Sequence, residues 1–143
     1  MNNPYKWVLM CLVLVSLLGI ADAAYLSYTA LTGTPVACKL IEGCNVVAQS
    51  PYSRVFGVPL ALFGLAYYIV VLLGSLLLMK RPALLLRRFA LLFAMAGLLL
   101  SAYFTYLQAE VIGAFCIYCL ISAAATIMIF ILSLGLFGKS RDI

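Results

Sequence analysis

Long apolar stretches separated by short polar connections dominate the chain. A helix needs about 20 apolar residues to cross a bilayer, and four stretches reach that length. They cover residues of about 7–28, 58–79, 89–108 and 115–137. The pattern therefore predicts an all-α integral membrane protein, folded as a single domain over residues 1–143 into a bundle of four transmembrane helices.

The connection between the first two spans, at about 29–57, is long enough to hold structure of its own. Ser50 and Pro51 have the order of a helix N-cap followed by proline at the first helical position. The apolar side chains around Phe56 favour a position on the membrane surface before the chain turns inward at Pro59. The sequence predicts a short interfacial helix in this connection and no β-strand.

The first span has two interpretations. Lys6 ahead of an apolar run, with Ala21-Asp22-Ala23 behind it, has the arrangement of a signal peptide and its cleavage site. The amphipathic continuation Tyr25–Tyr28 favours a retained helix instead, with tyrosines at the depth of an interface belt. We interpret Asp22 as an interfacial carboxylate near the outer end of this helix, because an ionised group deeper in the bilayer is costly.

Charge indicates the orientation of the spans. The 143 residues are 67% hydrophobic and 9% charged, with a net charge of +5, and no long basic tract suggests nucleic-acid binding. Of the nine basic residues, only Lys39 and Arg54 lie opposite the others. The positive-inside rule therefore predicts cytoplasmic termini, a cytoplasmic Lys80–Arg88 connection, and outer connections at 29–57 and Glu110–Ala114. We expect a multi-pass protein of the inner (plasma) membrane.

Cysteine is the residue type that can carry chemistry in this chain. Histidine, the commonest general base and metal ligand, is absent, whereas five cysteines are present. Cys38 and Cys44 lie in the outer connection, and Cys116 and Cys119 begin the fourth span as Cys-Ile-Tyr-Cys. All four are predicted on the outer face, where disulfides form and persist. Cys11, near the cytoplasmic end of the first span, is interpreted as a small apolar core residue.

A Cys-x-x-Cys motif at a helix start suits thiol exchange. The partial positive charge of the helix N-terminus stabilises a thiolate at Cys116. Residues i and i+3 share a face, so Cys119 lies one turn deeper, toward lipid. Cys38 and Cys44, in a solvent-exposed loop, can react with a soluble protein. Cys116 and Cys119, at the lipid boundary, can react with a lipid-soluble electron carrier. Because no flavin or dinucleotide motif occurs, the acceptor is expected to be a membrane quinone, ubiquinone or menaquinone.

Zinc binding and haem attachment require cysteine motifs that differ from those of this chain. Paired zinc ligands are usually separated by two to four residues, and the longer spacing of Cys38 and Cys44 does not match, so no metal is expected. Haem attachment requires histidine directly after Cys-x-x-Cys, and Leu120 stands there. Two inert structural disulfides, in a membrane protein without catalytic activity, stay open as an alternative.

The same stretches resemble the vitamin K epoxide reductase family in its short bacterial form. Loop cysteines, a loop serine and the helix Cys-x-x-Cys occur in the family's order over about residues 18–126. The matching segments are Tyr25–Tyr28, Cys44–Val47, Phe56–Pro59, Tyr103–Gln108 and Val111–Cys119. The resemblance implies a four-helix bundle that encloses a quinone beside the Cys-x-x-Cys. It also implies a separate soluble partner, a thioredoxin-fold thiol oxidase outside the cytoplasm, because no thioredoxin-like domain is fused.

The resemblance further implies roles for single residues. Cys38 exchanges with the soluble partner, Cys44 passes electrons to Cys116, and Cys119 faces the quinone ring. The Ser50 hydroxyl supports the redox centre, or it acts only as a helix N-cap. The implied activity is that of a quinone-linked thiol oxidase, with a vitamin K or quinone epoxide reductase as the alternative.

Three positions depart from the family's pattern. Leu60 and Ala123 stand where quinone-binding members often carry asparagine and tyrosine, and Gln49 stands where many members have a second serine. Contacts to the quinone are therefore expected from other polar side chains, with Tyr106 and Ser122 as the first candidates. The wider set is Tyr67, Tyr103, Tyr106, Gln108 and Ser122.

Overall fold

Four long helices make up most of the described protein. A computed structural model describes residues 4–33, 51, 54–81, 83–113 and 115–139. The helices are α1 (Pro4–Thr32), α2 (Leu60–Lys80), α3 (Leu84–Tyr106) and α4 (Ile117–Lys139). A π-helical turn, Leu107–Ile112, continues α3, and the two-residue strands β1 (Arg54–Val55) and β2 (Val58–Pro59) precede α2.

Each of these four helices, α3 together with its π-helical turn, is long and apolar enough to cross a membrane. Large apolar side chains cover the outside of the bundle: Leu18, Leu85 and Leu99 are 69%, 65% and 64% exposed. Contiguous exposed apolar surface of this kind is stable against lipid rather than water. The prediction of four spans is confirmed, and the protein is a multi-pass membrane protein.

The helix ends differ from the predicted ones. α1 extends to Thr32, beyond the predicted end near 28, and the third span runs from Leu84 to Ile112, longer at both ends than predicted. α2 and α4 each begin two residues later than predicted. The predicted Glu110–Ala114 turn is shorter, because its first residues still belong to the π-helical turn. The chain leaves that turn at Gly113, whose φ of 75° is left-handed and favours glycine.

A short hairpin leads into α2. β1 and β2 pair antiparallel with Val55 opposite Val58, and the connecting residues Phe56 and Gly57 have φ values of 52° and 80°. Positive φ at both positions is the geometry of a tight two-residue hairpin turn. The prediction of no strand is therefore wrong here, and the interfacial helix predicted for this connection does not reach Phe56. Of the start of that helix, the structure describes Pro51, which lies in a 3₁₀ turn.

α1 is the central helix of the bundle, since it packs against both α2 and α4, whereas α3 packs chiefly against α4. Gly19 of α1 lies directly against the Tyr68 ring of α2, and Gly97 of α3 lies against the Tyr67 ring. A Cβ atom at either glycine would overlap the ring. Small residues therefore permit the close helix approach that membrane bundles require. Tyr67 also stacks on Phe93 of α3, with ring centroids 5.0 Å apart.

Contacts at the two ends of the bundle define the helix directions. The Tyr5 hydroxyl donates to the Leu78 carbonyl (3.4 Å), and the Arg87 guanidinium lies 4.8 Å from the centroid of the Tyr5 ring. At the opposite end, Arg54 donates to the Ala30 carbonyl (3.2 Å) and joins the hairpin to the end of α1. α1 is therefore antiparallel to α2 and parallel to α3.

Candidate thiol redox site

Cys116 lies between the π-helical turn and the start of α4. Its carbonyl accepts the first hydrogen bond of α4, from the N–H of Leu120 (3.0 Å), so Cys116 is the N-cap residue. Its own N–H donates to Oε1 of Gln108 at 3.0 Å. Cys116 is 2% exposed, so these backbone groups must find their partners within the protein.

The π-helical turn brings Gln108 to this position. A π-helical turn adds residues to one turn of the helix and shifts the register of the side chains that follow. It closes where Gly113 donates its N–H to the Gln108 carbonyl at 2.9 Å. Gln108 is buried, and its amide therefore lies against the start of α4 instead of pointing into lipid.

Replacing Gln108 with leucine is expected to destabilise the protein by about 1–3 kcal/mol, because the buried N–H of Cys116 would lose its acceptor. Thr126→Val is the matched control. Thr126 is also buried, but its hydroxyl donates to Ala123 within the same helix (2.7 Å), so this loss should change stability much less. Unfolding in detergent, followed by circular dichroism, measures both changes. Equal losses would contradict the assigned role of Gln108.

The two thiols of the Cys-x-x-Cys motif interact directly. Hydrogen bonds from the Cys119 thiol, and from the backbone N–H groups of Cys119 and Tyr118, lower the pKa of the Cys116 thiol to about 7, although burial acts in the opposite direction. These N–H groups belong to the first turn of α4, where an N-cap side chain receives them. Near neutral pH, Cys116 can therefore carry the thiolate while Cys119, one turn further into α4, donates the hydrogen bond.

Aromatic side chains border the thiol pair. Tyr25 and Leu26 of α1 and Tyr118 of α4 pack against Cys116, and the rings of Tyr25 and Tyr118 lie 5.2 Å apart with a tilt of 47°. α1 thus meets the start of α4 near its own C-terminal end. The two helices are antiparallel, so one turn deeper along α4 corresponds to one turn back along α1.

Polar groups lie one turn further into the bundle than the thiols. Tyr68 of α2 donates its hydroxyl proton to the Ser122 carbonyl (2.9 Å), and the two hydroxyl oxygens lie 2.6 Å apart. Asp22 of α1 lies close enough to interact electrostatically with Tyr68, Cys116 and Cys119. Elsewhere in the bundle, the hydroxyls of Ser27 and Tyr67 are buried without a hydrogen-bond partner among the described residues.

The structure brings together only part of the predicted site. Cys116, Cys119 and Ser122 lie on successive turns at the start of α4. Tyr106, predicted as a quinone contact, is 58% exposed on the outside of α3. Cys11 is also exposed, which corrects the core position expected for it. The predicted residues that lie outside the described part of the chain are Cys38, Cys44 and Ser50. In the described ranges, no three cysteine or acidic side chains converge as metal ligands would.

Sequence reasoning missed the roles of three residues at or next to the thiol site. Gln108 was considered only for quinone binding, and its bond to the Cys116 backbone depends on a π-helical turn without a sequence signal. Tyr68 had nothing to distinguish it among nine tyrosines. Asp22 did carry a signal, because an ionisable residue within a span is uncommon. Its interpretation as an interfacial group overlooked that this depth is also the depth of the Cys-x-x-Cys.

A membrane-spanning helix bundle with a thiolate-stabilising Cys-x-x-Cys at one face has the arrangement that exchange between thiol and disulfide groups requires. The chain belongs to the vitamin K epoxide reductase family, whose model matches residues 10–134. The resemblance seen in the sequence is therefore confirmed over nearly the whole chain.

A named relative of the chain is also a redox protein. The chain is similar to the thiol-disulfide oxidoreductase LTO1 of Arabidopsis thaliana, with 38% identity over 126 residues. The match covers 78% of this chain and 32% of the relative. The chain thus spans about a third of the length of that relative.

Proposed function

We propose that this protein is a quinone-linked thiol oxidase that re-oxidises a soluble thioredoxin-fold protein outside the cytoplasm. The observation that carries the proposal is the Cys116–Cys119 pair, with a stabilised Cys116 thiolate at the start of a membrane helix and Cys119 one turn deeper. One sulfur is suited to exchange with another thiol, and the other is suited to meet an oxidant dissolved in lipid. The printed name of the relative, a thiol-disulfide oxidoreductase, supports the same chemistry.

Electrons enter through the loop pair and leave through the helix pair. The thiolate of reduced Cys44 attacks Cys116 of the Cys116–Cys119 disulfide, and Cys119 leaves with the bonding electron pair. Cys38 then attacks Cys44, which closes the loop disulfide and releases Cys116 as a thiolate. A thiol with a lowered pKa leaves faster, so the pKa of Cys116 favours this second step.

The soluble partner sets a requirement on the final acceptor. Strongly oxidising thioredoxin-fold oxidases have potentials of about −120 mV, so only an acceptor with a higher potential can re-oxidise them. We assign this role to a membrane quinone, ubiquinone or menaquinone, which on reduction takes up two electrons and two protons.

The residues beside the thiols fit a quinone. Its ring requires apolar and aromatic neighbours, and Tyr25, Leu26 and Tyr118 form such a wall next to Cys116. Its carbonyl oxygens require donors, and the buried Ser27 hydroxyl has no partner in the part of the chain that the structure describes. An unpaired buried hydroxyl is costly, so Ser27 would donate to a quinone oxygen.

Ser122, predicted as a quinone contact, is less available as a donor. The one hydroxyl proton of Tyr68 is donated to the Ser122 carbonyl. The Ser122 hydroxyl is then left to donate to the Tyr68 oxygen. We therefore assign Ser122 to the positioning of Tyr68 across the α2–α4 interface, and we place Ser27 ahead of it as a quinone contact.

The function is tested with purified full-length protein, a reduced thioredoxin-fold thiol oxidase, and a short-chain ubiquinone or menaquinone. Quinol should form, followed by absorbance, at one equivalent per disulfide made in the soluble protein. Ser27→Ala should raise the KM for quinone more than it lowers kcat. Reduction of vitamin K epoxide by dithiothreitol, without any oxidation of the soluble thiols, would favour the epoxide reductase alternative. Reduction of neither compound would contradict quinone-linked chemistry.

We also propose that both termini are cytoplasmic and that the cysteine pairs face outward. A cysteine introduced at Leu84 should be protected from a membrane-impermeant maleimide in intact cells, because Leu84 is the first residue of α3, at the basic end of the bundle. Thr32→Cys, at the opposite end of α1, is the matched control and should be labelled. Peptide mapping by mass spectrometry separates these sites from the native cysteines. Labelling at position 84 with protection at position 32 would reverse the orientation.

A further inference from the structure

A half-buried carboxyl group, that of Asp22, lies beside the thiol pair. Asp22 precedes Tyr25 and Leu26 of α1, the residues that contact Cys116, by three and four positions. This spacing puts Asp22 on the same face of α1, one turn deeper in the bundle. Cys119 is one turn deeper than Cys116 on the antiparallel α4, so Asp22 and Cys119 lie at the same level.

The carboxyl group of Asp22 has no compensating charge among the described residues that face it. Its Oδ2 is buried without a hydrogen-bond partner in the described ranges. The titratable groups that interact with it are the thiols of Cys116 and Cys119, the hydroxyl of Tyr68 from α2 and the hydroxyl of Tyr118 from α4. None of these four groups can become a cation. An ionised Asp22 and a Cys116 thiolate would therefore repel each other in a medium that screens charge poorly.

The site can thus hold one negative charge far more easily than two. When the thiol pair is reduced, the N–H groups at the start of α4 stabilise that charge on Cys116. When the pair is oxidised, the disulfide is neutral and the repulsion on Asp22 disappears. Asp22 can then ionise, and the carboxylate carries the one negative charge of the site.

We propose that Asp22 stores the proton that the Cys116 thiolate lacks and releases it when the thiol pair is oxidised. The reduced site holds a Cys116 thiolate, a Cys119 thiol and a carboxylic acid at Asp22. Oxidation removes two electrons from the sulfurs and forms the S–S bond, while the Cys119 thiol and Asp22 each lose one proton. The oxidised site holds a disulfide and a carboxylate, so its net charge is −1 before and after.

This proton count deepens the proposed function and rests on it for the destination of the protons. Two electrons and two protons are what a quinone needs to become a quinol, and the acceptor of the proposed function takes up both. Without Asp22, oxidation of a thiolate–thiol pair would release only one proton. The buried site would also change its net charge with every turnover, which is costly in a medium of low dielectric.

The test measures protons against electrons without any quinone. Full-length protein carrying Cys38→Ala and Cys44→Ala, so that Cys116 and Cys119 form the couple, is equilibrated with dithiothreitol buffers at several pH values above the Cys116 pKa of about 7. Oxidation of dithiothreitol itself releases two protons, and this dependence is subtracted. With Asp22 present, the equilibrium constant for reduction of the site should then change about 100-fold per pH unit, which is about 59 mV. In Asp22→Asn it should change about tenfold, which is about 30 mV.

Two variants serve as controls. Asp22→Glu should keep the 100-fold dependence, because it keeps the carboxyl group. Ser16→Ala, a buried polar position on α1 whose hydroxyl donates to Leu12 within the same helix (2.8 Å), should keep it as well. A tenfold dependence with Asp22 present, or a 100-fold dependence in Asp22→Asn, would overturn the proposal.

An infrared measurement keeps the proposal testable if Asp22→Asn does not fold. Oxidation of the otherwise unmodified loop-cysteine variant should remove a protonated-carboxyl stretching band, and Asp22→Glu should shift that band. A redox difference spectrum without such a band would overturn the proposal. Because no quinone is present, a negative result here leaves the quinone assay untouched. Failure of the quinone assay would likewise leave this proton count intact.

Discussion

Replacing Cys119 with alanine is expected to reduce quinone turnover by about 10³-fold or more and to trap a bridge between Cys44 and Cys116. Cys116 keeps the backbone N–H donors at the start of α4 in this variant, so it can still exchange with the loop sulfur. The Cys116 thiolate attacks Cys44 of the oxidised loop pair, which forms the bridge and releases Cys38. Cys38 can only reverse this step, and the Cys119 thiol that would resolve the bridge at Cys116 is missing. A mixed disulfide persists when its resolving thiol is absent.

Proteolysis under non-reducing conditions, followed by mass spectrometry, locates the bridge, and quinol absorbance measures turnover. Cys11→Ala is the matched control. Cys11 is exposed on the first half of α1 and about 16 Å along the helix axis from Asp22, so its loss should leave turnover unchanged. Near-normal turnover in Cys119→Ala together with none in Cys116→Ala would reverse the assignment of the quinone-facing sulfur. Normal turnover in both variants would identify the disulfides as structural.

The second large effect is expected from replacing Cys44 with alanine, which should accumulate a covalent complex with the soluble partner. In the proposed relay a partner thiolate attacks Cys38 of the loop disulfide, Cys44 leaves, and the partner's second thiol releases Cys38. In Cys44→Ala the lone Cys38 thiolate instead attacks the disulfide of the oxidised partner, which forms the mixed disulfide and frees one partner thiol. Without Cys44 the mixed disulfide has no resolving thiol within the loop. Quinone turnover with the soluble partner should fall by about 10³-fold or more, as for the helix pair.

The complex is detected as a band that dithiothreitol removes on a non-reducing gel. Cys38→Ala is the matched control, because it keeps Cys44 but removes the sulfur that meets the partner, so little complex should form. A complex of equal amount in Cys38→Ala would exchange the roles of the two loop cysteines. Absence of a complex in both variants would mean that the loop pair does not exchange with this partner.

The number of helices could be predicted from sequence because lipid imposes one length and one polarity on every span. The helix ends could not be predicted as well, since polar residues can continue a helix when their side chains bond to it. Thr29 and Thr32 donate to carbonyls one turn back, at 2.9 and 2.8 Å, and so extend α1 beyond the apolar run. The hairpin at Phe56 and Gly57 was missed for a related reason, because a two-residue strand leaves no periodicity to detect.

The chemistry of the thiol pair could also be predicted in part. The spacing of Cys116 and Cys119 puts both sulfurs on one face at successive depths, and their position at a helix start predicts a stabilised thiolate. The donors that stabilise Cys116 are the backbone N–H groups of its own helix and the neighbouring thiol. All of these lie within four positions of each other in the sequence.

The sequence by itself therefore determined the number of spans, the order of Cys116 and Cys119 along the fourth span and the family, because these depend on length, hydrophobicity and local spacing. Only the tertiary structure decided which side chains meet between helices: Gln108 with the Cys116 backbone, Tyr68 with Ser122, and Asp22 with both thiols. Such interactions between helices depend on the rotation of each helix about its axis. In a soluble protein an apolar stripe reveals that rotation. In lipid the outside of a helix is as apolar as its buried side, so the pattern along the chain contains no stripe from which the rotation could be predicted.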